Sequence, residues 1–185
     1  MRHAELDVQI KKIIKFSGSI LFMIFILVLL NWLPSIIQKH NLKKFDSVEA
    51  ARKELHIKDV YLPTYIPEHL GLAWPPAEIY AQNSPFNAII MHFNFKDKEE
   101  IGLIIQQVDA RAQYQIKPHI KIRQSREGRS ISVKNRTALL VPAVCDNDSP
   151  CHQLSWKEDG TILTLIGKFT AQELIKIAAS MLPGE

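Results

Sequence analysis

The stretch Asn87-Ala-Ile-Ile-Met-His-Phe-Asn-Phe95 decides the fold, because apolar side chains recur there at every second position. In a β-strand successive side chains point to opposite faces, so Ile89, Met91 and Phe93 would share one face. A charged turn follows, and residues 101–105 then begin a second alternating segment. The pattern predicts a sheet with one apolar face.

Alternation continues towards the C-terminus. Further strands are predicted over residues 116–123, 130–133, 138–141 and 161–166, with Leu154 and Trp156 sharing a face of another. Asp159-Gly160 predicts a two-residue hairpin turn, because these residue types accept positive φ angles. Short turns of this kind join antiparallel neighbours.

Two helices are predicted near the two ends of residues 46–185. Asp46 and Glu49 have the spacing of a capping box, and so have Thr170 and Glu173, each before apolar residues at helical spacing. The predicted class is therefore α+β. We expect a curved antiparallel sheet with a short N-terminal helix and a C-terminal helix packed on one face, preceded by one transmembrane helix.

A long uncharged segment predicts that transmembrane helix over residues 16–38. Residues 16–37 carry no charge, and residues 20–30 are an unbroken apolar run, which suits a bilayer crossing of about 20 residues. The rival interpretation is a cleaved signal peptide, because an apolar core follows a basic start. No small-x-small cleavage site follows Leu30, so an uncleaved anchor is favoured.

The two cysteines indicate the topology. Lysine and arginine flank both ends of the apolar segment. The positive-inside rule therefore hardly indicates which end lies in the cytoplasm. Cys145 and Cys151 bracket a turn-forming insert and predict a disulfide, which persists in oxidising compartments; the alternative is two reduced thiols. We therefore predict a cytoplasmic tail (1–15), a linker (39–45) and an extracytoplasmic domain (46–185).

Composition and motifs favour a non-enzymatic protein. The chain has 185 residues and a formal charge of +4, which suits one domain with appendages and excludes intrinsic disorder. It lacks the motifs of nucleophile elbows, zinc proteases, phosphate loops and dinucleotide folds, and its histidines have no metal-ligand spacing. We predict no catalytic residue, no metal site and no cofactor; a hydrolase remains a remote alternative because triads also assemble from distant residues.

A basic cluster is the most informative polar feature. Its candidate residues for an anionic surface are Lys117, Lys121, Arg123, Arg126 and Arg129. The functional interpretation is a surface for anionic lipid headgroups or wall polymers. The favoured alternative is a solvated sheet face with a basic hairpin, because charge runs usually face water. No motif with interleaved aromatic residues accompanies the charge, so nucleic acid is not expected as a partner.

Large apolar side chains offer a second candidate site. Tyr65, Trp74, Met91, Phe93 and Trp156 would line a ligand cavity if the curved sheet enclosed one. The favoured alternative is that they form the core, because such residues are usually buried.

Three stretches together resemble an uncharacterised bacterial family, domain of unknown function 4367. They are Leu62-Pro-Thr-Tyr-Ile-Pro-Glu68, Leu154-Ser-Trp-Lys-Glu-Asp-Gly160, and Gly167-Lys-Phe-Thr-Ala-Gln-Glu-Leu174 leading into Ile177-Ala-Ala-Ser180. The resemblance covers about residues 46–182. It implies an extracytoplasmic domain behind one transmembrane helix, of the kind also found in anti-sigma factors, with a fold similar to lipoprotein carriers. It implies no catalytic residues.

These observations lead to one expected function and two alternatives. We expect a single-pass membrane protein whose outer domain binds or senses an apolar ligand or a membrane protein partner at the envelope, for example in sporulation signalling. The first alternative is a structural module of an envelope complex, and the remote one is an envelope hydrolase. A cavity would favour binding, whereas a filled sheet interior would favour a scaffold.

Overall fold

A computed structural model describes residues 20–29, 42–112, 122–125, 127–145 and 148–183. The chain divides into two compact units, Met1–Asn41 and Leu42–Glu185. In the first unit, residues 20–29 form helix α1, whose apolar side chains are 39–68% exposed. No helix within the described ranges is both long and apolar enough to cross a membrane. The rest of the predicted transmembrane segment, the predicted cytoplasmic tail and the start of the linker lie outside the described residues.

The second unit contains short strands with a helix near each end. Its strands are β1 (Lys43–Phe45), β2 (Tyr61–Pro63), β3 (Glu78–Gln82), β4 (Ala88–Asn94), β5 (Ile101–Asp109), β6 (Gln124–Ser125), β7 (Arg129–Val133), β8 (Arg136–Val144), β9 (Pro150–Glu158), β10 (Thr161–Gly167) and β11 (Met181–Pro183). Its helices are α2 (Val48–Leu55), the 3₁₀ turn Glu68–Leu70 and α3 (Ala171–Ser180).

The strands form one large antiparallel sheet and one small one. The large sheet has the order β1-β3-β4-β5-β10-β9-β8-β6, and β7 also pairs with β8. Strands β2 and β11 pair separately, and every pairing between named strands is antiparallel. The predicted α+β class is confirmed. Most of the strand predicted over residues 116–123 lies outside the described residues.

The register confirms the alternation on β4. Met91 pairs with Ile105, which in turn pairs with Leu165, so one apolar row crosses three strands. These side chains are fully buried in the main core cluster, to which α2 contributes Ala51 and α3 contributes Ile177. The helices therefore pack on the sheet face that the sequence predicted to be apolar.

The opposite face is also buried near its centre. Ile90, Ile104 and Ile166, which alternate with the main core residues, form a second apolar cluster. Buried His92 and Gln106 project from this face as well, by the same alternation. The sheet is thus covered on both faces at this point.

The predicted Asp159-Gly160 hairpin is confirmed, and the strands predicted over residues 130–133 and 138–141 form a second hairpin. Asp159 and Gly160 have φ angles of 45° and 77° and connect β9 to β10. Positive φ at both positions belongs to the type I′ turn, whose twist matches that of paired strands. The β7–β8 hairpin closes with Val133 opposite Arg136.

The predicted cap of α3 is confirmed and that of α2 is shifted by one residue. Glu173 N–H donates to Thr170 Oγ1 (3.3 Å), and the Glu173 carboxylate accepts from Thr170 N–H (3.0 Å). At α2, however, Ser47 rather than Asp46 is the cap, because its Oγ accepts from Ala50 N–H at 3.0 Å. Serine and aspartate cap almost equally well, so residue type does not choose between neighbours.

A buried glutamine ties the small sheet to the large one. Gln107 on β5 accepts from Tyr61 N–H (2.9 Å) and donates to Tyr61 C=O (2.6 Å). The Tyr61 hydroxyl donates to Asp159 (2.9 Å), and burial together with this carboxylate raises the pKa of Tyr61. Strand β2 is therefore anchored to β5 and to the β9–β10 turn by polar contacts that the sequence did not predict.

Candidate functional site

The predicted cysteine pair forms a disulfide. Cys145 and Cys151 are bonded, with their Cα atoms 5.9 Å apart, so the pairing expected from sequence is confirmed. Cys145 N–H also donates to Ser149 C=O at 2.9 Å within the turn. Both cysteines are almost fully buried in the second apolar cluster, next to Ile104 and Ile166. The bond is thus part of the domain interior.

The structure describes two of the five residues predicted for an anionic surface. Lys117, Lys121 and Arg126 lie outside the described residues. Arg123 and Arg129 are exposed, and Arg123 Nη1 lies 3.2 Å from an Asp148 carboxylate oxygen. The anionic-surface interpretation therefore stays a prediction.

The five residues predicted to line a cavity separate into two groups. Met91, Phe93 and Trp156 are buried in the main core cluster. Tyr65 and Trp74 are 53% and 57% exposed. The sequence is compatible with either a core or a cavity position for all five residues. The fold places three of them in the core.

Trp74 forms one wall of an open groove. A cleft of about 530 Å³ is lined, among others, by Ile66, Pro67, Glu68, Leu72, Trp74 and Lys96, and we call it the Trp74 groove. The Trp74 ring stacks on Phe93, with centroids 5.7 Å apart and 25° between the planes. The core thus supports one side of a ring that is more than half exposed.

Hydrogen bonds hold the backbone of the groove against the sheet and α3. Ala73 N–H donates to Asn94 C=O (2.8 Å), and Lys96 N–H donates to Gly71 C=O (2.7 Å). Behind the groove, Thr64 Oγ1 donates to Ser180 C=O (2.9 Å). The groove is therefore preformed, which reduces the entropic cost of binding.

The Trp74 groove carries one charge of each sign. Glu68 belongs to the 3₁₀ turn and Lys96 follows β4, and both side chains are exposed. Neither forms an ion pair with any other described residue. They offer a carboxylate acceptor and an ammonium donor beside an aromatic face.

A second cleft, of about 600 Å³, is polar and lies beside the β9–β10 turn. Neither sign of charge dominates its walls, which include Lys58, Arg111 and Lys157 as well as Asp59, Asp109 and Asp159. Arg111 donates through its guanidinium and its backbone N–H to Asp109, which lowers the pKa of that carboxyl to about 2.

Across the described ranges, no group of three or more His, Cys, Asp or Glu residues is arranged to hold a metal ion.

A charged cluster connects β1 to the rest of the sheet. The Glu78 carboxylate accepts from Lys44 Nζ (2.8 Å) and from the Tyr80 hydroxyl (3.1 Å), and it lies 3.3 Å from Nδ1 of buried His92. The hydrogen bond from Lys44, supported by those from His92 and Tyr80, lowers the pKa of Glu78 to about 2. Glu78 is therefore ionised far below the usual range.

We expect Glu78→Gln to flatten the acid dependence of stability. A carboxyl whose pKa falls from 4.5 to about 2 on folding stabilises the fold above pH 4.5, and loses that contribution as pH falls towards 2. Wild type should lose stability across this window more steeply than the variant. The difference at pH 7 should be at most about 1 kcal/mol, because the pair is partly solvated.

Urea denaturation at a series of pH values between 2 and 7 measures this effect. Asp109, Glu100 and Glu173 also have lowered pKa values, but they titrate in both proteins, so the difference isolates Glu78. Parallel curves for wild type and variant would contradict the prediction.

Sequence reasoning missed the polar members of the groove. Glu68 ends one of the family stretches without a predicted site role, and Lys96 belongs to no motif; both line the groove because the backbone N–H of Lys96 pairs with the loop at Gly71. The prolines at positions 63, 67, 75 and 76 favour extended backbone in this region, which is consistent with a rigid connection but does not identify the charged residues of the groove.

Comparison with known proteins identifies the family. Comparison with curated proteins and with solved structures found no match. A family model matches residues 60–181, which include β2 to the start of β11 and therefore the Trp74 groove and the disulfide. The chain belongs to the family described as Domain of unknown function (DUF4367).

Proposed function

We propose that this chain is a single-pass membrane protein with an extracytoplasmic domain that binds a partner at its surface and has no catalytic role. Residues 1–15 lie in the cytoplasm, residues 16–38 cross the membrane, residues 39–45 are a linker, and residues 46–185 form the outer domain. Within the family, this arrangement resembles the membrane-anchored members that the sequence motifs suggested.

The Cys145–Cys151 bond carries the proposal. Disulfides persist in oxidising compartments and are rare in the cytosol. Here the bond lies in the domain interior and belongs to a core cluster with Ile104 and Ile166. A cytosolic domain would instead bury two thiols at this position, without the constraint that the bond provides.

The character of α1 supports a membrane anchor. All ten side chains of residues 20–29 are apolar and exposed, on every side of the helix. A helix that is apolar all round is stable in a protein core or in a bilayer, whereas water disfavours it. Lysines flank the uncharged segment on both sides, as they do at bilayer surfaces.

Reporter fusions at the C-terminus test the topology. Alkaline phosphatase fused after Glu185 should be active, because it needs an oxidising compartment for its own disulfides, and a fluorescent protein at the same site should be dark. Fusions after Lys15, which lack the apolar segment, are the matched control and should show the reverse. An active fluorescent protein after Glu185 would overturn the proposal.

One observation favours a second candidate function, a structural module of an envelope complex. Met91, Phe93 and Trp156 are buried in the main core cluster on the apolar face of the sheet. Native mass spectrometry of the full chain tests for an apolar ligand inside the domain, because a co-purified ligand would add its mass to the protein. We expect an unshifted mass. That result would exclude a co-purified apolar ligand and would leave two possibilities, a ligand that binds at the surface of the domain and a partner protein.

A further inference from the structure

The exposed ring of Trp74 has the geometry of a binding platform. One side of the indole rests on Phe93, which is fully buried on β4, while the ring remains 57% exposed. The exposed part of the ring keeps apolar surface that a ligand can remove from water, and the ring is fixed in place before any ligand arrives. Backbone hydrogen bonds from Ala73 N–H to Asn94 C=O and from Ala77 N–H to His92 C=O, each 2.8 Å, hold the chain before and after Trp74.

We propose that the Trp74 groove binds a sugar ring of a glycan chain outside the membrane; this rests on the proposed function for the compartment. A pyranose ring has an apolar C–H face of about the size of an indole, with hydroxyl groups around its edge. Trp74 would cover the C–H face, while Glu68 accepts from hydroxyls and Lys96 donates to them. The groove offers apolar and polar surface side by side, as a ring with a C–H face and hydroxyl edges requires, and a few placed polar groups fix the orientation of a small ligand.

A lipid tail fits this groove less well. Glu68 and Lys96 are exposed beside the ring, and an acyl chain would remove water from both charges without forming a hydrogen bond. The groove is an open cleft of about 530 Å³ at the surface. A sugar replaces the lost water with its own hydroxyl groups.

A protein partner lacks sufficient apolar surface here. In residues 42–183, the exposed large apolar side chains are Tyr65, Trp74, Leu139 and Leu182 within the described ranges. Leu139 projects from the sheet face opposite Phe93, as the register of β8, β9, β10, β5 and β4 shows. A stable interface covers about 800 Å² on each partner, so one tryptophan with its neighbours suits a smaller ligand.

The groove lies away from the point where the chain enters the sheet. The chain enters the domain at β1, where Lys43 pairs with Ala81, and Ala81 pairs with Ile89 at the start of β4. Trp74 stacks on Phe93, four residues further along β4, or about 13 Å at 3.3 Å per residue. The groove therefore lies towards the other end of β4 from the point where the chain enters the sheet.

Isothermal titration of the full chain in nanodiscs of zwitterionic lipid tests the proposal. The probes are two soluble β-1,4-linked tetrasaccharides, one of glucose and one of N-acetylglucosamine, at concentrations up to about 10 mM, which covers weak binding. At least one should bind with saturation. Trp74→Ala should lower the association constant about tenfold, because it removes the apolar contact of one ring face.

Tyr65→Ala is the matched control, because Tyr65 is equally exposed in the same loop but does not line the groove. It should bind the sugar like wild type. Lys96→Met keeps the aromatic platform and removes only the donor, so it should weaken binding about threefold, consistent with a partly solvated hydrogen bond. Hydrogen exchange of β4 in each variant shows whether the domain remains folded.

Three outcomes would overturn the proposal. They are saturable binding of neither tetrasaccharide, equal binding by wild type and Trp74→Ala, and binding of a proline-rich decapeptide in place of both sugars. The reporter fusions test the topology of the proposed function separately. An outer domain that binds no sugar would leave the topology intact and remove only the glycan ligand.

Discussion

Gln107→Met is expected to destabilise the domain by about 2–4 kcal/mol, because it leaves two buried backbone groups without partners. The Gln107 amide bonds both N–H and C=O of Tyr61, and both residues are buried. Methionine has nearly the same length and fills the space, so the loss measures the hydrogen bonds and not a cavity. Amide hydrogen exchange of β5 in the full chain reports the free energy of unfolding.

Gln172→Met is the matched control for this change. Gln172 is exposed on α3, where the same substitution should alter the free energy of unfolding by less than about 0.5 kcal/mol. Gln107→Glu, which keeps an acceptor but loses the donor, should also destabilise the fold. Equal stability of Gln107→Met and Gln172→Met would show that β2 is held by other contacts.

Removal of the disulfide is expected to cost about 2–4 kcal/mol. The bond closes a ring of seven residues, and the loss of that constraint on the unfolded chain accounts for about 2 kcal/mol. The double variant Cys145→Ala, Cys151→Ala also removes two buried sulfur atoms from the cluster around Ile90 and Ile166, which adds to the cost.

Reductant separates these two contributions. It should destabilise wild type by about 2 kcal/mol in urea denaturation and leave the double variant unchanged, because only wild type has a ring to open. Mass spectrometry of unreduced peptides from envelope-purified protein should show the 145–151 pair with two hydrogens fewer than the dithiol. Free, alkylatable thiols in that preparation would contradict both the pairing and the oxidising compartment.

Short-range patterns explain which expectations were confirmed. The alternation around Met91, the Asp159-Gly160 turn and the Thr170–Glu173 cap each depend on residues a few positions apart, and the structure contains all three. The disulfide is also a short-range feature, because its cysteines are six residues apart. The cap of α2 was misplaced by one residue because Asp46 and Ser47 are both suitable caps.

The candidate site was only partly predictable because its members meet through strand pairing. Trp74 and Phe93 are both aromatic residues that composition treats alike, yet the fold buries one and exposes the other. Lys96 reaches the groove because its backbone N–H pairs with the loop at Gly71. No local sequence pattern predicts which distant residues strand pairing will bring into one groove.

By itself, the sequence determined the class of this protein: an apolar segment near the start, then alternating strands, sharp turns and a capped C-terminal helix, because these features depend on neighbouring residues. The tertiary structure alone decided the strand order, the second buried face and the anchoring of Tyr61 by Gln107, 46 residues away. It also decided that Trp74 would lie open above Phe93. Contacts between distant residues arise from the packing of the whole chain, and only the folded domain brings them together.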